Sequence, residues 1–223
     1  MDLNERLNQV QKSLTRFIFP DKCPFCGGLT EKGELICEEC EKTLPRCDRV
    51  RTGGGFSRCA SPFLYDGAVR QAILRYKFQG KMGGLPCFGR EMAQCVAEHY
   101  AGEFDAVTWV PVSKKRLRKR GYDQARLLAA SLCVDWHTDP VETLEKIVDN
   151  PAQSGLTDVF ARRANVLGVY QAVRPENIAG RRFLLVDDIL TTGATLGEAA
   201  RVLKTAGAAD VMCLTLAMAD EKK

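Results

Sequence analysis

Phe183-Leu184-Leu185-Val186-Asp187-Asp188-Ile189-Leu190-Thr191-Thr192-Gly193-Ala194-Thr195-Leu196 is the stretch that decides the fold class. Four apolar residues run into two adjacent carboxylates. A continuous apolar run suits a strand buried on both faces, as in the parallel sheet of an α/β domain, where ligands collect beyond the carboxyl ends of the strands. Asp187 and Asp188 stand at such an end. Leu196, Ala199, Ala200 and Leu203 then recur at helical spacing, so the segment 191–195 supplies hydroxyls and a glycine to the start of a helix.

That arrangement divides the work of binding. Unpaired N–H groups and hydroxyls at a helix N-terminus hold a phosphate, while paired carboxylates accept hydrogen bonds from sugar hydroxyls. A ribose 5-phosphate satisfies both halves; acids that merely cap the next helix are the plainer reading. A Walker loop is excluded because no Gly-Lys-Ser/Thr follows a glycine-rich turn, and no G-x-G-x-x-G follows a strand. Over its full length the run resembles the phosphoribosyl-diphosphate (PRPP) motif of type I phosphoribosyltransferases. The resemblance implies Asp187 and Asp188 on the ribose hydroxyls, with Thr191, Thr192, Gly193, Ala194 and Thr195 around the 5-phosphate.

The chain of 223 residues has room for one typical domain plus a small module. Its net charge of +4 is too modest to argue for nucleic acid by itself, so the clustering of Lys and Arg must decide. Residues 3–18 carry Leu3, Leu7, Val10, Leu14 and Ile18 on one helical stripe, predicting an amphipathic packing helix, with a membrane-surface helix as the other reading. This end lacks the apolar core of a signal peptide and no later segment spans a bilayer. The expected location is the cytoplasm, without stable membrane insertion.

Ten cysteines in a reducing compartment point to metal ligands and buried thiols before disulfides. Cys23-Pro-Phe-Cys26 and Cys37-Glu-Glu-Cys40 are two C-x-x-C knuckles joined by a short glycine-bearing turn, the spacing of a structural Zn²⁺ site. Cys47 and Cys59 have no partner at knuckle spacing and read as isolated thiols or as remnants of a second metal site. The Gly-Gly-Gly stretch of 52–56 reads as a flexible loop. Cys87, Cys95, Cys133 and Cys213 sit in apolar settings and belong in the core.

From Phe63 onward strands and helices alternate. A short strand at 63–65 leads to a helix over 68–78 bearing Arg70, Arg75 and Lys77, and a second helix runs over 88–100. A buried strand over 104–112 ends at Pro111-Val112-Ser113. There Lys114, Lys115, Arg116, Arg118, Lys119 and Arg120 place six cations within seven residues, a cluster that wants pyrophosphate or a nucleic-acid backbone unless it is a solvated loop. Asp123 is placed to cap a helix through Leu132. Strands over 143–148 and 169–173 flank a polar stretch, 149–157, that reads as a mobile loop or a connector. A last strand is expected over 211–217.

Taken in order, these pieces resemble the ComF family, also called ComF/GntX. The residues that carry the likeness are the knuckles, Tyr65-Asp66-Gly67, Arg75-Tyr76-Lys77-Phe78, Val110-Pro111-Val112, Arg120-Gly121-Tyr122-Asp123-Gln124, Gln153-Ser154-Gly155-Leu156, Arg163-Ala164-Asn165 and the PRPP motif. The resemblance implies a type I phosphoribosyltransferase-like fold, a mostly parallel sheet flanked by helices, behind a small zinc-ribbon-like module. The expected units are an amphipathic helix over 1–20, a zinc module and linker over 21–60, and the phosphoribosyltransferase-like domain over 61–223. By the same carry-over, Pro111, Val112, Ser113 and Lys114 form a pyrophosphate loop and 149–157 the flexible loop. A link to single-stranded DNA uptake in natural transformation, and so to the DNA-uptake machinery, is implied as well.

Two functions fit. As an enzyme, the chain holds PRPP with Mg²⁺ and lets a nitrogen nucleophile attack the ribose C1 as pyrophosphate leaves, the acceptor being unnamed. As a non-catalytic accessory protein, it binds nucleic acid through the 114–120 cluster, with Tyr76, Phe78 and Tyr122 available to stack on bases.

Overall fold

The structure is a computed structural model that describes residues 22–149 and 167–220. The helix expected over 3–18, most of the loop expected over 149–157, and Arg163-Ala164-Asn165 lie outside the described residues.

The described strands are β1 (Arg51–Gly53), β2 (Phe56–Ala60), β3 (Phe63–Leu64), β4 (Ala106–Trp109), β5 (Leu144–Lys146), β6 (Tyr170–Ala172), β7 (Arg182–Leu190) and β8 (Asp210–Met218). The α-helices are α1 (Glu38–Thr43), α2 (Gly67–Gln79), α3 (Leu85–His99), α4 (Lys114–Arg120), α5 (Gln124–Cys133) and α6 (Ala194–Thr205). Six strands form one sheet in the order β1-β2-β8-β7-β4, with β3 also pairing to β8. All its pairings are parallel except β1 with β2, as the expected α/β class requires.

The apolar run of β7 is explained by its central place. Leu184 and Val186 face a core shared with α2, α3 and α5, whereas Phe183 and Leu185 face a second core shared with α6. Side chains alternate across a strand, so a strand covered on both sides must be apolar at every position. Cys59, Cys95, Cys133 and Cys213 are buried in these layers, as is Cys87.

Local signals set the helix ends. Ser113 Oγ accepts from Arg116 N (3.2 Å) at the start of α4, and Gly121, at φ 85°, ends it. The cationic cluster after β4 therefore forms a helix instead of the loop considered from sequence, and Arg118, Lys119 and Arg120 fall in its last turn, where the helix dipole favours cations. Asp123 caps α5 through Arg126 N (3.2 Å), as expected. β5 and β6 pair with each other in a separate antiparallel sheet. That small sheet is tied to β4 by Val141 N donating to Val107 O (2.8 Å) and by the Thr108–Thr143 hydroxyl pair (2.6 Å).

The Gly-Gly-Gly stretch is not a free loop. It is the tip of the β1–β2 hairpin, and β2 joins the main sheet with Cys59 opposite Cys213. Gly53, Gly54 and Gly55 all take positive φ, and the tip lies directly on α6. A Cβ on Gly197 would stand 2.0 Å from Gly54 O, and one on Gly55 2.9 Å from Gly197 O. Only hydrogen fits between these backbones.

The cysteine module packs into the same body. Phe25 meets Phe63 and Phe88 edge-on at ring distances of 5.3 and 5.9 Å, so the first knuckle shares the core beneath α2 and α3. Among the described residues no helix is long and apolar enough to cross a membrane.

The hairpin contact makes a prediction. Gly197→Ala should destabilise the chain by about 1–3 kcal/mol through overpacking against a backbone carbonyl. Gly83→Ala, whose added Cβ meets nothing within 4 Å, should stay within about 0.5 kcal/mol of wild type. Urea unfolding midpoints check both, and equal midpoints would mean that the hairpin tip is not held on α6.

Candidate functional site

The two acids lie near the carboxyl end of β7, inside the strand and three and two residues before its last residue, Leu190. Asp187 is 9% exposed and Asp188 4%, unusual burial for adjacent carboxylates. Asp187 Oδ1 accepts from Asp188 N at 2.8 Å. Asp188 Oδ2 is paired with Lys77 Nζ of α2 at 2.6 Å and finds no other donor among the described residues. One acid is thus held in an ion pair, yet both still line a cavity of about 450 Å³. There is room for a sugar phosphate beside them.

Burial dominates the electrostatics here. It pushes the Asp187 carboxyl up to about 8, with the Asp188 charge adding and Lys77 opposing. For Lys77 burial acts against the charged form, but the Asp188 charge and hydrogen bond, with Asp187 behind, hold the ammonium above its ordinary value. Lys146 of β5 also lines the cavity, with its ammonium 5.4 Å from the Tyr170 ring centre. Burial, then the neighbouring Arg116 charge, brings it down to about 8.

The turn after β7 leads into α6 through Gly193, at φ 78°. Thr191, Gly193, Ala194 and Thr195 line the cavity with the acids, so this helix start and the carboxylates face one volume. Thr192 is not among the lining residues; its Oγ1 accepts a long bond from Ala194 N (3.4 Å). The turn is braced from the hairpin, where Arg51 Nη1 donates to Thr191 O at 2.6 Å.

The segment after β4 divides between two sides. Pro111, Val112, Arg116 and Arg120 line the cavity. Ser113 does not, because its hydroxyl caps α4 and donates to Asp149 Oδ1. Lys114 points outward to Glu145, and Lys115 pairs with Asp149 at 3.5 Å. The Ser113 hydrogen bond, then the Arg116 and Lys115 charges, hold Asp149 below the usual carboxylate range. Arg118 and Lys119 are exposed and have no acidic partner among the described residues.

Of the three rings considered for base stacking, Tyr76 is fully buried and cannot serve. Its size and amphipathic edge fill the core between α2 and α5, which sequence spacing alone does not reveal. Tyr122 is half-buried, its hydroxyl donating to Tyr76 O (2.6 Å). Phe78 is 63% exposed at the cavity, with the Arg120 guanidinium 5.7 Å from its ring centre. Arg70, Lys77, Lys146 and Tyr170 also line the cavity; Arg70 and Lys77 belong to the basic helix noted in the sequence, whereas Lys146 and Tyr170 lie in no motif read there. Their one signal was chemical, a cation and a tyrosine in the two expected strands.

Away from this cavity, the sulfurs of Cys23, Cys26, Cys37 and Cys40 all lie within 4.8 Å of one another. Gly28 N donates to Cys26 Sγ at 3.3 Å and works toward the thiolate, but burial and the neighbouring Cys37 and Cys23 sulfurs leave the Cys26 thiol above its ordinary value. Although burial opposes it, backbone amides of Cys37, Cys26 and Phe25 draw the Cys23 thiol down to about 7. Four convergent sulfurs at this spacing suit tetrahedral Zn²⁺. Cys47 and Cys59 are buried and form no metal cluster among the described residues.

Comparison with known proteins agrees with both halves. Residues 117–223 match the phosphoribosyl transferase domain, and residues 14–71 match the double zinc ribbon domain. The chain is 27% identical over 195 residues to competence protein ComFC of Bacillus subtilis, covering 87% of this chain and 76% of that protein. It is 28% identical over 216 residues to competence protein F of Haemophilus influenzae, covering 94% and 88%. It is 24% identical over 208 residues to the DNA utilization protein YhgH of Escherichia coli, covering 87% and 84%. The double zinc ribbon match and the four-thiol cluster together support a structural zinc.

The buried acid carries a pH signature. In the unfolded chain an Asp titrates near 4, whereas folded Asp187 keeps its proton to about 8, so the folded state binds more protons between these values and stability falls as pH rises through them. Asp187→Asn removes that loss while keeping an oxygen for Asp188 N. The variant should be more stable than wild type, by a gap that grows from pH 4 to 8, reaches on the order of a few kcal/mol and then levels off. Parallel stability–pH curves for the two proteins would overturn this assignment.

Proposed function

Since this chain belongs to the ComF family, with a phosphoribosyltransferase domain behind an N-terminal zinc module, we propose that it binds PRPP or a related ribose 5-phosphate in the cavity beside β7. We further propose that it serves single-stranded DNA uptake from the cytoplasmic side. The observation that carries the ligand reading is one shared volume: Asp187, Asp188 and the start of α6 all open onto it. The acids would accept from ribose hydroxyls, and the amides of Gly193, Ala194 and Thr195 would take the 5-phosphate.

The cavity wall suits a ligand with more than one phosphate. Arg70, Lys77, Arg116, Arg120 and Lys146 line it against two carboxylates. On the enzyme reading, Arg116, Arg120 and Lys146 would stabilise negative charge developing on a departing pyrophosphate, and Val112 would offer backbone beside it. Hard oxygen donors, the two carboxylates together with ligand phosphates, are what Mg²⁺ takes, and the ion would supply further neutralisation of the diphosphate. Asp188 would hold the sugar while Lys77 keeps that carboxylate charged in its buried setting.

A second reading draws on the outer face of α4. Arg118 and Lys119 are exposed without acidic partners among the described residues, and Phe78 is exposed beside Arg120. Such a surface suits the backbone and bases of single-stranded DNA passing the cavity mouth. This role needs no turnover and is compatible with a bound sugar phosphate.

Calorimetric titration of zinc-replete protein with PRPP and Mg²⁺, followed by candidate bases and a pyrophosphate assay, tests the first reading. We expect PRPP to bind, and pyrophosphate release to mark an enzyme. Asp187→Asn with Asp188→Asn should abolish PRPP binding at unchanged zinc content, whereas equal binding would refute the site. For the second reading, Arg118→Glu with Lys119→Glu should lower the slope of log affinity for single-stranded DNA against log salt by about 1.4 or more, given roughly 0.7 per phosphate contact. An unchanged slope would remove α4 from any DNA path.

A further inference from the structure

Three consecutive residues near the end of α2 reach three different parts of the molecule. Arg75 Nη2 donates to Pro24 O and to Phe25 O, each at 2.8 Å, and these are the carbonyls lying between the zinc thiols Cys23 and Cys26. Tyr76 stands edge-on to Phe88 at 5.9 Å, and Phe88 meets Phe25 of that same knuckle at 5.9 Å. Lys77 ends on Asp188. Successive helical residues point about 100° apart, so a single turn touches the metal knuckle, the core and the acid pair at once.

Tyr122 closes the arrangement from the α4–α5 turn. Its hydroxyl donates to Tyr76 O (2.6 Å), a carbonyl of the last turn of α2, while the Tyr76 hydroxyl donates to Gln124 O (2.7 Å). The residue between them, Asp123, accepts from Val112 N at 3.0 Å in the segment lining the cavity. This end of α2 is therefore clamped between the zinc knuckle and the α4–α5 turn. A fully packed and hydrogen-bonded unit of this kind moves between discrete arrangements and does not deform smoothly.

We propose that the zinc knuckle is a positioning element of the cavity: through Arg75 it sets Lys77 against Asp188 and, through Tyr76 and Tyr122, the Val112 segment, so that metal binding and anion binding are coupled. The proposal rests on reading the cavity as an anion site. Arg75 touches no ligand and acts by position alone. Without the metal the knuckle carbonyls lose their fixed place, and Arg75 loses the anchor that orients the turn bearing Lys77. Coupling of this kind is reciprocal, so the ligand must be felt at the metal as well.

Cobalt(II) replacing zinc in the full chain gives a visible spectrum that reports the thiolate geometry, and inorganic pyrophosphate serves as the probe. In wild type, pyrophosphate should bind and shift the cobalt bands. Arg75→Gln should keep the same zinc content, bind pyrophosphate about tenfold more weakly, and show no band shift even at saturation. Tyr122→Phe, which removes only a hydroxyl, should fold and show a smaller shift than wild type. If wild type binds pyrophosphate but its bands do not move, and Arg75→Gln binds equally well, the coupling is overturned while the anion site stands. If wild type binds neither pyrophosphate nor PRPP, the anion site and the coupling fall together.

Discussion

Two adjacent carboxylates inside a strand covered on both faces are the constraint to which the rest of the structure answers. Burying one unpaired carboxylate is costly, and burying two side by side adds their mutual repulsion. The molecule meets that cost with Lys77, drawn in from α2, with a proton kept on Asp187 over much of the neutral range, and with an open cavity on which both groups border. A core optimised for stability alone would have carried apolar residues here. Keeping the acids trades stability for two polar groups that border an open cavity.

The surrounding parts serve to hold that place still. On one side the glycine hairpin lies on α6 so closely that no side chain fits between Gly54 and Gly197, and Arg51 fixes the Thr191 carbonyl. On the other, α2 is pinned at its final turn by Arg75 and Tyr122. The cysteine module thus sits behind the cavity wall as a buttress, its Phe25 embedded in the core shared by α2 and α3. A small metal-bound unit is a rigid part from which to brace a helix, because its geometry is set by bonds to the ion and not by side-chain packing.

Charge is distributed by layer. Arg116 and Arg120 turn inward from α4 to the cavity, whereas Lys114 and Lys115 are taken up by Glu145 and Asp149. The run of six cations that looks uniform in the sequence is divided by the helical repeat into an inner pair, a neutralised pair and the outward Arg118 and Lys119. One short helix in this way presents cations to the cavity and to the outer surface at once.

The sequence by itself determined the parallel α/β class, the metal knuckles, the cap at Asp123, and the pairing of acids with a helix start. Each of these is written in a few neighbouring residues, through strand burial, ligand spacing or a single side-chain-to-amide bond. Tertiary structure alone decided that Lys77 and Lys146 enter the cavity, that Tyr76 is core and Phe78 is not, that Thr192, Ser113 and Lys114 stay out of the lining, and that a glycine run is a strand tip. Those outcomes depend on where elements distant in sequence come to rest against one another, and the short-range rules that build each helix and strand carry no record of that placement.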